Sequence, residues 1–431
     1  MNDKTIPNVL ILSTNFSSGD AITSINLFSK WHKDNLFCAS LFFNDYCRFF
    51  KSYYHIGNKE IKYMPPFNLF RKPQETNILY DCEYNEKKNE RTKHTRLKWG
   101  KCNSYIQYIM LCLNPLSIHM RIRPSTLFCN WINEIKPDFI YTSVGNYAMA
   151  VFICKLMILF PNIKFIIHGY DDWIDPSYAL FFKKRFRSKA NLMLKNIING
   201  STILLSTSQK MSNDYFLRYG KSFTVFPNPV QVEEKHDIIE KHNNVLFIGK
   251  IGRHNSDSIL KMAEAIKAVN DKYEYELFFE IYSPIDKSIE KSLFCKLDKV
   301  LIHSWVAHDQ IPNLLRKSKI LYLPITNRKR VKKFVKYSMS TKMSEYLASG
   351  SPVIYVGPKG IAMTELLEEN NCAFCVTDNK IKSIENAIVQ IFNDPILVEE
   401  YRIKAKKLVY DRFDISVVSE NFKDLICSYK V

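Results

Sequence analysis

Lys342 and Glu345 are the residues whose types and spacing point most directly to chemistry on an anionic ligand that carries hydroxyl groups. They lie three positions apart in a predicted short helix, with Ser340 as its expected cap and Gly350 as its expected left-handed stop. Both side chains therefore share one helix face. An ammonium group can bind phosphate, and a carboxylate can accept hydrogen bonds from sugar hydroxyls. Spacing alone favours a simpler interpretation, an exposed ion pair.

A second group of reactive side chains, His168, Asp171 and Asp172, follows the apolar run Ile163–Ile167. That run predicts a buried strand, and active sites of parallel sheets lie at the carboxyl ends of their strands. A histidine in this position supports a catalytic role and a structural role equally. We assign no metal to the two aspartates.

Predicted strands and helices alternate along the chain. The apolar strand Asn8–Thr14 continues through a loop with Gly19 into a helical pattern, and this unit opens a doubly wound sheet. The pattern restarts at the strand Val245–Ile248, whose loop carries Lys250 and Arg253. The fold class predicted is α/β, with two tandem Rossmann-like doubly wound domains facing a cleft.

The two prolines of Pro227-Asn228-Pro229-Val230 interrupt regular structure and mark the domain boundary. We therefore predict an N-terminal domain over 1–228 and a C-terminal domain over 229–414. A last helix is expected over 415–431.

Charge is distributed unevenly over the 431 residues. The formal net charge is +18, of which residues 1–228 contribute +14. A basic first half suits an acidic substrate, an anionic membrane or nucleic acid. The eleven cysteines are scattered and odd in number, and the first residues lack a signal-peptide pattern, so a cytoplasmic protein with reduced thiols is expected. The single C-x-x-C, at Cys372 and Cys375, has no second pair to complete a zinc site.

Residues 71–125 form a basic, polar stretch that predicts an insertion, with an apolar helix over Tyr105–Leu113. Basic residues beside exposed apolar ones suit peripheral membrane contact at the inner face of the plasma membrane, and a solvated charged face explains them equally well.

Several motifs in a fixed order carry a family resemblance. They are His168-Gly-Tyr-Asp171-Asp-Trp, Pro227-Asn-Pro-Val230, Trp305-Val306 before Asp309-Gln-Ile-Pro, Ser340-Thr-Lys342-Met-Ser-Glu345-Tyr-Leu-Ala-Ser-Gly350, and Arg412-Phe413 before the last helix. With them the chain resembles the retaining, nucleotide-sugar-dependent glycosyltransferases of family 4, which have the GT-B fold. The resemblance covers nearly the whole chain and is weakest over 44–125. In that fold the last helix crosses back to the first domain.

The resemblance implies a donor site in the second domain. Glu345 would accept hydrogen bonds from the ribose of the nucleotide. Lys250, assigned a catalytic role, would stabilise the leaving diphosphate with Arg253 and Lys342. Val306 would face the base through its backbone, and Ser340 would stand at the same site. No metal or other cofactor is expected, because lysine and arginine side chains can neutralise the diphosphate.

The resemblance also implies an acceptor side in the first domain. His168 would be catalytic, beneath the donor sugar, and Gly19 and Asp171 would border the acceptor.

One position departs from the family pattern. Many members carry an acidic residue eight positions before Glu345, where this chain has Tyr337 at the end of the basic run Asn327–Lys336. This leaves no carboxylate there for the sugar hydroxyls, so the choice of sugar must depend on other residues.

The predicted function is hexosyl transfer, with retention, from a nucleoside-diphosphate sugar to a glycan or lipid-linked acceptor in surface polysaccharide synthesis. The predicted partners are that donor, that acceptor and an anionic membrane surface, without nucleic acid. Two alternatives stay open: a nucleotide-sugar epimerase of the same fold, and a basic nucleic-acid-binding protein, which no motif supports. An inactive scaffold with the same fold is a third.

Overall fold

The computed structural model divides the chain into two compact units, Met1–Phe226 with Ser419–Val431, and Pro227–Val418, here called the N-terminal unit and the C-terminal unit. The predicted helix Tyr105–Leu113, most of the basic insertion and Arg253 lie outside the described residues. The described residues are 6–13, 19–41, 48–65, 68, 72–80, 120–174, 181–232, 240–252, 255–283 and 299–430.

The N-terminal unit alternates strands and helices. Its strands are β1 (Val9–Ser13), β2 (Leu36–Ser40), β3 (Ser52–His55), β4 (Ile61–Tyr63), β5 (Asn77–Tyr80), β6 (Met120–Ile122), β7 (Phe139–Thr142), β8 (Lys164–Gly169), β9 (Ile203–Ser206) and β10 (Thr224–Val225). Its helices are α1 (Gly19–Leu27), α2 (Thr126–Ile135), α3 (Tyr147–Leu159), α4 (Lys183–Asn199) and α5 (Gln209–Tyr219).

Eight of these strands form one sheet in the order β10-β9-β8-β7-β1-β2-β3-β5. All neighbours are parallel except β3 and β5. The central strands are buried on both faces because helices cover them, which explains their continuous apolar runs. Strands β4 and β6 form a separate antiparallel pair, with Lys62 opposite Arg121.

The C-terminal unit repeats the pattern. Its strands are β11 (His242–Ile248), β12 (Phe278–Tyr282), β13 (Val300–His303), β14 (Ser318–Pro324), β15 (Val353–Val356) and β16 (Phe374–Val376). Its helices are α6 (Ser256–Tyr273), α7 (Ile311–Lys317), α8 (Lys329–Phe334), α9 (Thr341–Ala348), α10 (Ala362–Glu369), α11 (Ile381–Asn393) and α12 (Pro395–Arg412).

These six strands are all parallel, in the order β13-β12-β11-β14-β15-β16. The strand order reverses between β11 and β14, and a crevice for ligands opens at such a reversal beyond the carboxyl ends of the strands. Apolar clusters on the two faces of the sheet form the core. Two parallel, doubly wound sheets confirm the predicted α/β class.

The final helix, α13 (Ile415–Ser428), begins in the C-terminal unit, and its residues from Ser419 onward belong to the N-terminal unit. Phe422 is fully buried there, and its ring meets those of Phe28 and Tyr141 edge-on at 5.0 and 6.0 Å between centroids. Burying an aromatic side chain of this size contributes about 2–3 kcal/mol, so the helix end is firmly packed.

Candidate active site

Helix α9 meets the carboxyl end of β11 where the strand order reverses. The backbone N–H of Ile248 donates a hydrogen bond of 3.0 Å to the hydroxyl of Tyr346, which is buried. This bond ties the middle of the helix to the strand end. Gly350 has the expected left-handed φ of +79° beyond the helix. Ser340 occupies the N-cap position but makes no capping hydrogen bond with its side chain, so that detail of the prediction was wrong.

Lys342 stands one helical turn before Tyr346, and its ammonium reaches the strand end. A Cβ atom placed on Gly249 would lie only 1.9 Å from Nζ, so the ammonium occupies the space that any other residue at position 249 would fill. Nζ also lies 4.9 Å from the centroid of the Phe247 ring. The spacing therefore predicted the shared helix face of Lys342 and Glu345, and the fold adds that Lys342 points into the sheet crevice.

Burial lowers the pKa of Lys342 to about 8, against the opposing attraction of Glu345. The lysine remains mostly protonated at neutral pH, but its charge is incompletely compensated. A buried cation that lacks full compensation favours an anionic ligand. Glu345 is half-buried on the same face.

The loop after β11 is held by its own polar groups. The Asn255 carbonyl oxygen accepts a bond of 2.8 Å from Gly252 N–H, and the Asn255 amide donates to the Lys250 carbonyl at 3.1 Å. Asn255 is the N-cap residue of α6. Lys250 is exposed, and a Cβ on Gly252 would meet no atom within 4 Å. The described part of the loop thus presents the exposed cation Lys250 and an open backbone at Gly252.

The sequence interpretation missed an acidic group on the other side of the reversal. Asp257, in the first turn of α6, accepts a bond of 2.7 Å from the Thr326 hydroxyl through Oδ2, with Arg328 Nε at 3.9 Å. Its other oxygen, Oδ1, is buried and has no hydrogen-bond partner among the described residues. Acidic residues are common in the first turn of a helix, where they interact favourably with the helix dipole. The sequence therefore contained no signal that distinguished Asp257 as a site residue.

Tyr337, which replaces the family's acidic residue, is fully buried. Its hydroxyl accepts a bond of 3.2 Å from Lys336 Nζ, and the same ammonium lies 4.9 Å from the ring centroid. Val306 is half-buried and Trp305 is 61% exposed, just beyond the edge strand β13.

His168 has no exposed surface, at the end of β8 in the N-terminal unit. Nε2 donates to the Phe226 carbonyl at 3.0 Å, and Nδ1 accepts from the Tyr141 hydroxyl at 2.8 Å. Burial lowers its pKa to about 3, so the ring is neutral. Both nitrogens are engaged within the protein. The catalytic role stays a prediction, which this geometry does not support.

The two aspartates after β8 differ in surroundings. Asp172 accepts two bonds from Arg218, at 3.2 and 3.0 Å, and is 9% exposed. Asp171 is half-buried, and Gly19 is the first residue of α1. Within the described ranges, no group of three or more His, Cys, Asp or Glu side chains could hold a metal ion.

Comparison with known proteins gives a family match within the C-terminal unit. Residues 242–394 match the family model described as Glycosyl transferases group 1. The C-terminal unit carries a group 1 glycosyltransferase domain. This match confirms the predicted enzyme class, a glycosyltransferase. A search of curated proteins finds no match.

Solved structures show the fold of the whole chain. HepE of Anabaena, solved with UDP-glucose, is 12% identical at a TM-score of 0.60, covering 97% of this chain and 99% of its own. A glycosyltransferase from Rickettsia africae is 12% identical at 0.60, covering 99% and 100%. The sucrose-phosphate synthase of Thermosynechococcus elongatus is 12% identical at 0.61, covering 98% of each chain. The glycosyltransferase therefore has the predicted GT-B fold of two Rossmann-like domains.

Among the residues that the structure describes, no helix combines the length and the apolar character needed to cross a bilayer.

Proposed function

We propose that this glycosyltransferase uses a nucleoside-diphosphate sugar and binds its diphosphate at the crevice between β11 and β14. The observation that carries the proposal is the ammonium of Lys342, held against Gly249 where the strand order reverses. Burial lowers the pKa of this lysine, so an anion beside it would stabilise its charge. The UDP-glucose bound by HepE supports a donor of this chemical class.

The donor-site residues contact different parts of the nucleotide sugar, according to their charge and exposure. Lys342 and the exposed Lys250 neutralise the charge that develops on the leaving diphosphate, and Glu345 accepts hydrogen bonds from the ribose hydroxyls. The half-buried Val306, at the edge of the sheet, contacts the base. Tyr337 is buried and its hydroxyl is bonded to Lys336, so the choice of sugar depends on other residues.

The transfer proceeds with retention through a front-face displacement. The bond between the anomeric carbon and the diphosphate oxygen breaks as the acceptor oxygen bonds to the same face of that carbon. The acceptor hydroxyl proton passes to the leaving diphosphate. The protein supplies charge stabilisation and positioning, and no side chain acts as general base.

The test combines binding with turnover. The wild-type protein is screened by thermal shift against UDP, GDP, ADP and their sugar forms, since a bound ligand raises the melting temperature by mass action. Glu345→Gln should weaken binding of the stabilising nucleotide by about 10-fold, and the exposed control Glu369→Gln should leave it unchanged. Full nucleotide binding and transfer by Glu345→Gln would refute this assignment.

We further propose a lipid-linked glycan acceptor at an anionic membrane surface, in the synthesis of a surface polysaccharide. Helix α4 has six Lys and Arg and no Asp or Glu, and it follows the exposed Phe181 and Phe182. Phe182 adopts a left-handed φ of 57°, a strained conformation for a bulky residue, while 55% of its surface stays exposed. Aromatic side chains beside cations suit an interface with anionic lipid.

Vesicle co-sedimentation tests this acceptor environment. The wild type should bind vesicles of phosphatidylglycerol, with an affinity that falls as salt rises, and should not bind RNA. The double variant Phe181→Ser/Phe182→Ser should lose most of the binding, whereas the exposed apolar control Ile396→Ser should retain it. Equal binding by both variants would remove the support that α4 gives to a membrane-bound acceptor.

A further inference from the structure

A cavity of about 370 Å³ lies beside the β4–β6 pair of the N-terminal unit. Four cationic side chains line it: Lys59, Lys62, Arg121 and Arg123. All four side chains are exposed. None of the four makes an ion pair with any acid of the described residues.

The register of the two strands brings like charges together. Lys62 pairs directly with Arg121, and their neighbours Ile61 and Ile122 face the core. Like charges at directly opposed positions destabilise a strand pair. A protein surface ordinarily alternates or pairs such charges, so this arrangement has a cost that an anionic ligand would offset.

A fifth cation, Lys155 of α3, stands within reach of the same field, since α3 packs against β6. Burial lowers the pKa of Lys155, and the charges of Arg123 and Arg121 lower it further. Lys155 therefore adds positive charge beside Arg121 and Arg123.

Among the described residues, the acid that lines the cavity is Glu60, and its carboxylate is already bonded within the protein. Glu60 is 3% exposed, and its oxygens accept hydrogen bonds from Tyr54, Ser125, Thr76 and the backbone N–H of Gly57. Glu60 instead fixes the turn before β4, and Arg123 N–H donates to the Glu60 carbonyl at 3.0 Å. The carboxylate holds the backbone that displays the cations, leaving an excess of positive charge.

We propose that this cavity is a second anion site, which binds a phosphorylated ligand through Lys62, Arg121 and Arg123. Two arginine guanidinium groups can each bind phosphate oxygens in bidentate fashion, and Lys62 adds a point charge opposite Arg121. The site goes beyond the proposed donor chemistry and stands independently of it. Its ligand is either a free phosphate compound or the phosphate of an anionic lipid headgroup.

The first experiment uses inorganic pyrophosphate as the probe in calorimetric titration at low salt. The full-length wild type should bind pyrophosphate at the cavity, and Lys62→Gln/Arg121→Gln should lose this binding with at least a 10-fold rise in Kd. A matched control, Lys51→Gln/Lys221→Gln, removes the same charge from exposed positions of the same unit and should behave as wild type. The background variant Lys342→Met separates the donor crevice, because it removes the main cation of that crevice and cavity binding should persist in it.

The second experiment measures the effect of the repulsion between Lys62 and Arg121 on thermal stability. Without ligand, Arg121→Gln should raise the melting temperature by about 1–3 °C, because it removes one of two opposed like charges. Pyrophosphate should stabilise the wild type more than this variant and so reduce the difference. Correct folding of the variant is thereby measured in the same assay.

Binding to phosphatidylglycerol vesicles distinguishes a lipid headgroup from a soluble phosphate compound as the ligand. Loss of vesicle binding by Lys62→Gln/Arg121→Gln assigns the site to a lipid headgroup, and unchanged vesicle binding with lost pyrophosphate binding assigns it to a soluble phosphate compound. Equal pyrophosphate binding by wild type and this double variant would overturn the proposal, as would no pyrophosphate binding by the wild type.

Discussion

Replacing Lys342 by methionine should stabilise the unliganded protein and impair transfer. Lys342→Met keeps a side chain of similar length but removes the buried charge. The pKa of Lys342 is lowered by burial from 10.5 to about 8, and each unit corresponds to about 1.4 kcal/mol. The full shift amounts to roughly 3 kcal/mol, which we reduce to about 1–3 kcal/mol because part of the side chain reaches solvent. The lost contact with the Phe247 ring offsets about 0.5–1 kcal/mol.

The assay is thermal and urea unfolding at pH 7 without donor. A net gain of about 1–2 kcal/mol corresponds to a rise of about 2–8 °C in a domain of this size. Lys250→Met, which removes an exposed charge from the neighbouring loop, should leave the melting temperature within about 1 °C of wild type. Transfer by Lys342→Met should fall by about 10–100-fold, because one charge-assisted contact with the diphosphate is lost.

The pH dependence of unfolding gives an independent check that burying the charge of Lys342 destabilises the folded protein. Below pH 8, Lys342 is protonated in both folded and unfolded states, so the wild type bears the whole penalty. Between pH 8 and 10.5 the folded state releases its proton while the unfolded state keeps it, and the wild type gains stability with rising pH. The advantage of Lys342→Met should therefore shrink across this window. A variant less stable than wild type at pH 7, or an advantage independent of pH, would refute the reasoning.

Three further outcomes follow from the same structure. Gly249→Ala should lower kcat/KM for the donor about 10–100-fold, because a Cβ atom at a φ of +144° would displace the Lys342 ammonium, whereas Gly252→Ala, with open space, should match wild type. For the wild type, kcat/KM for the donor should fall as pH rises through about 8, and this limb should vanish in the residual activity of Lys342→Met. His168→Phe should destabilise the fold by about 2–4 kcal/mol because it removes the buried hydrogen bonds of His168 to the Tyr141 hydroxyl and the Phe226 carbonyl, with turnover per folded molecule kept within about 3-fold. Because the pKa of His168 is lowered to about 3, the excess stability of wild type over His168→Phe should decline as pH falls from 6.5 towards 3; a lost kcat with unchanged stability would instead establish a catalytic histidine.

Much of the fold followed from periodicity. Apolar runs such as Val245–Ile248 are buried on both faces of a parallel sheet, and that burial is what makes them continuous in sequence. Strands β2 and β3 were not predicted. Strand β3 reads Ser-Tyr-Tyr-His, which alternates poorly, and it is a strand because its whole length is buried beside β2. Tertiary burial thus overrode the local signal.

The site was predictable only in part. Three-residue spacing placed Lys342 and Glu345 on one helix face, but it could not show that Lys342 meets Gly249, which lies 93 positions earlier in the chain. That contact depends on the bond between Tyr346 and Ile248, which sets the helix against the strand. The position of His168 at a strand end suggested chemistry, and its two hydrogen bonds within the protein show a structural use of the same position.

The destabilisation caused by burying the charge of Lys342 has a direct consequence for donor binding. A diphosphate placed beside the ammonium restores the stabilisation that water gives to the unfolded side chain, so its pKa should return towards 10.5. At pH 7 the lysine is already protonated, so the recovered energy strengthens binding without proton uptake. At pH 9 only about one-tenth of the free protein carries that proton, and binding must draw nearly one proton from solution. The free energy that burial of Lys342 costs the unliganded protein is thereby recovered when an anion binds. The affinity for that anion therefore depends on pH in the range where Lys342 titrates.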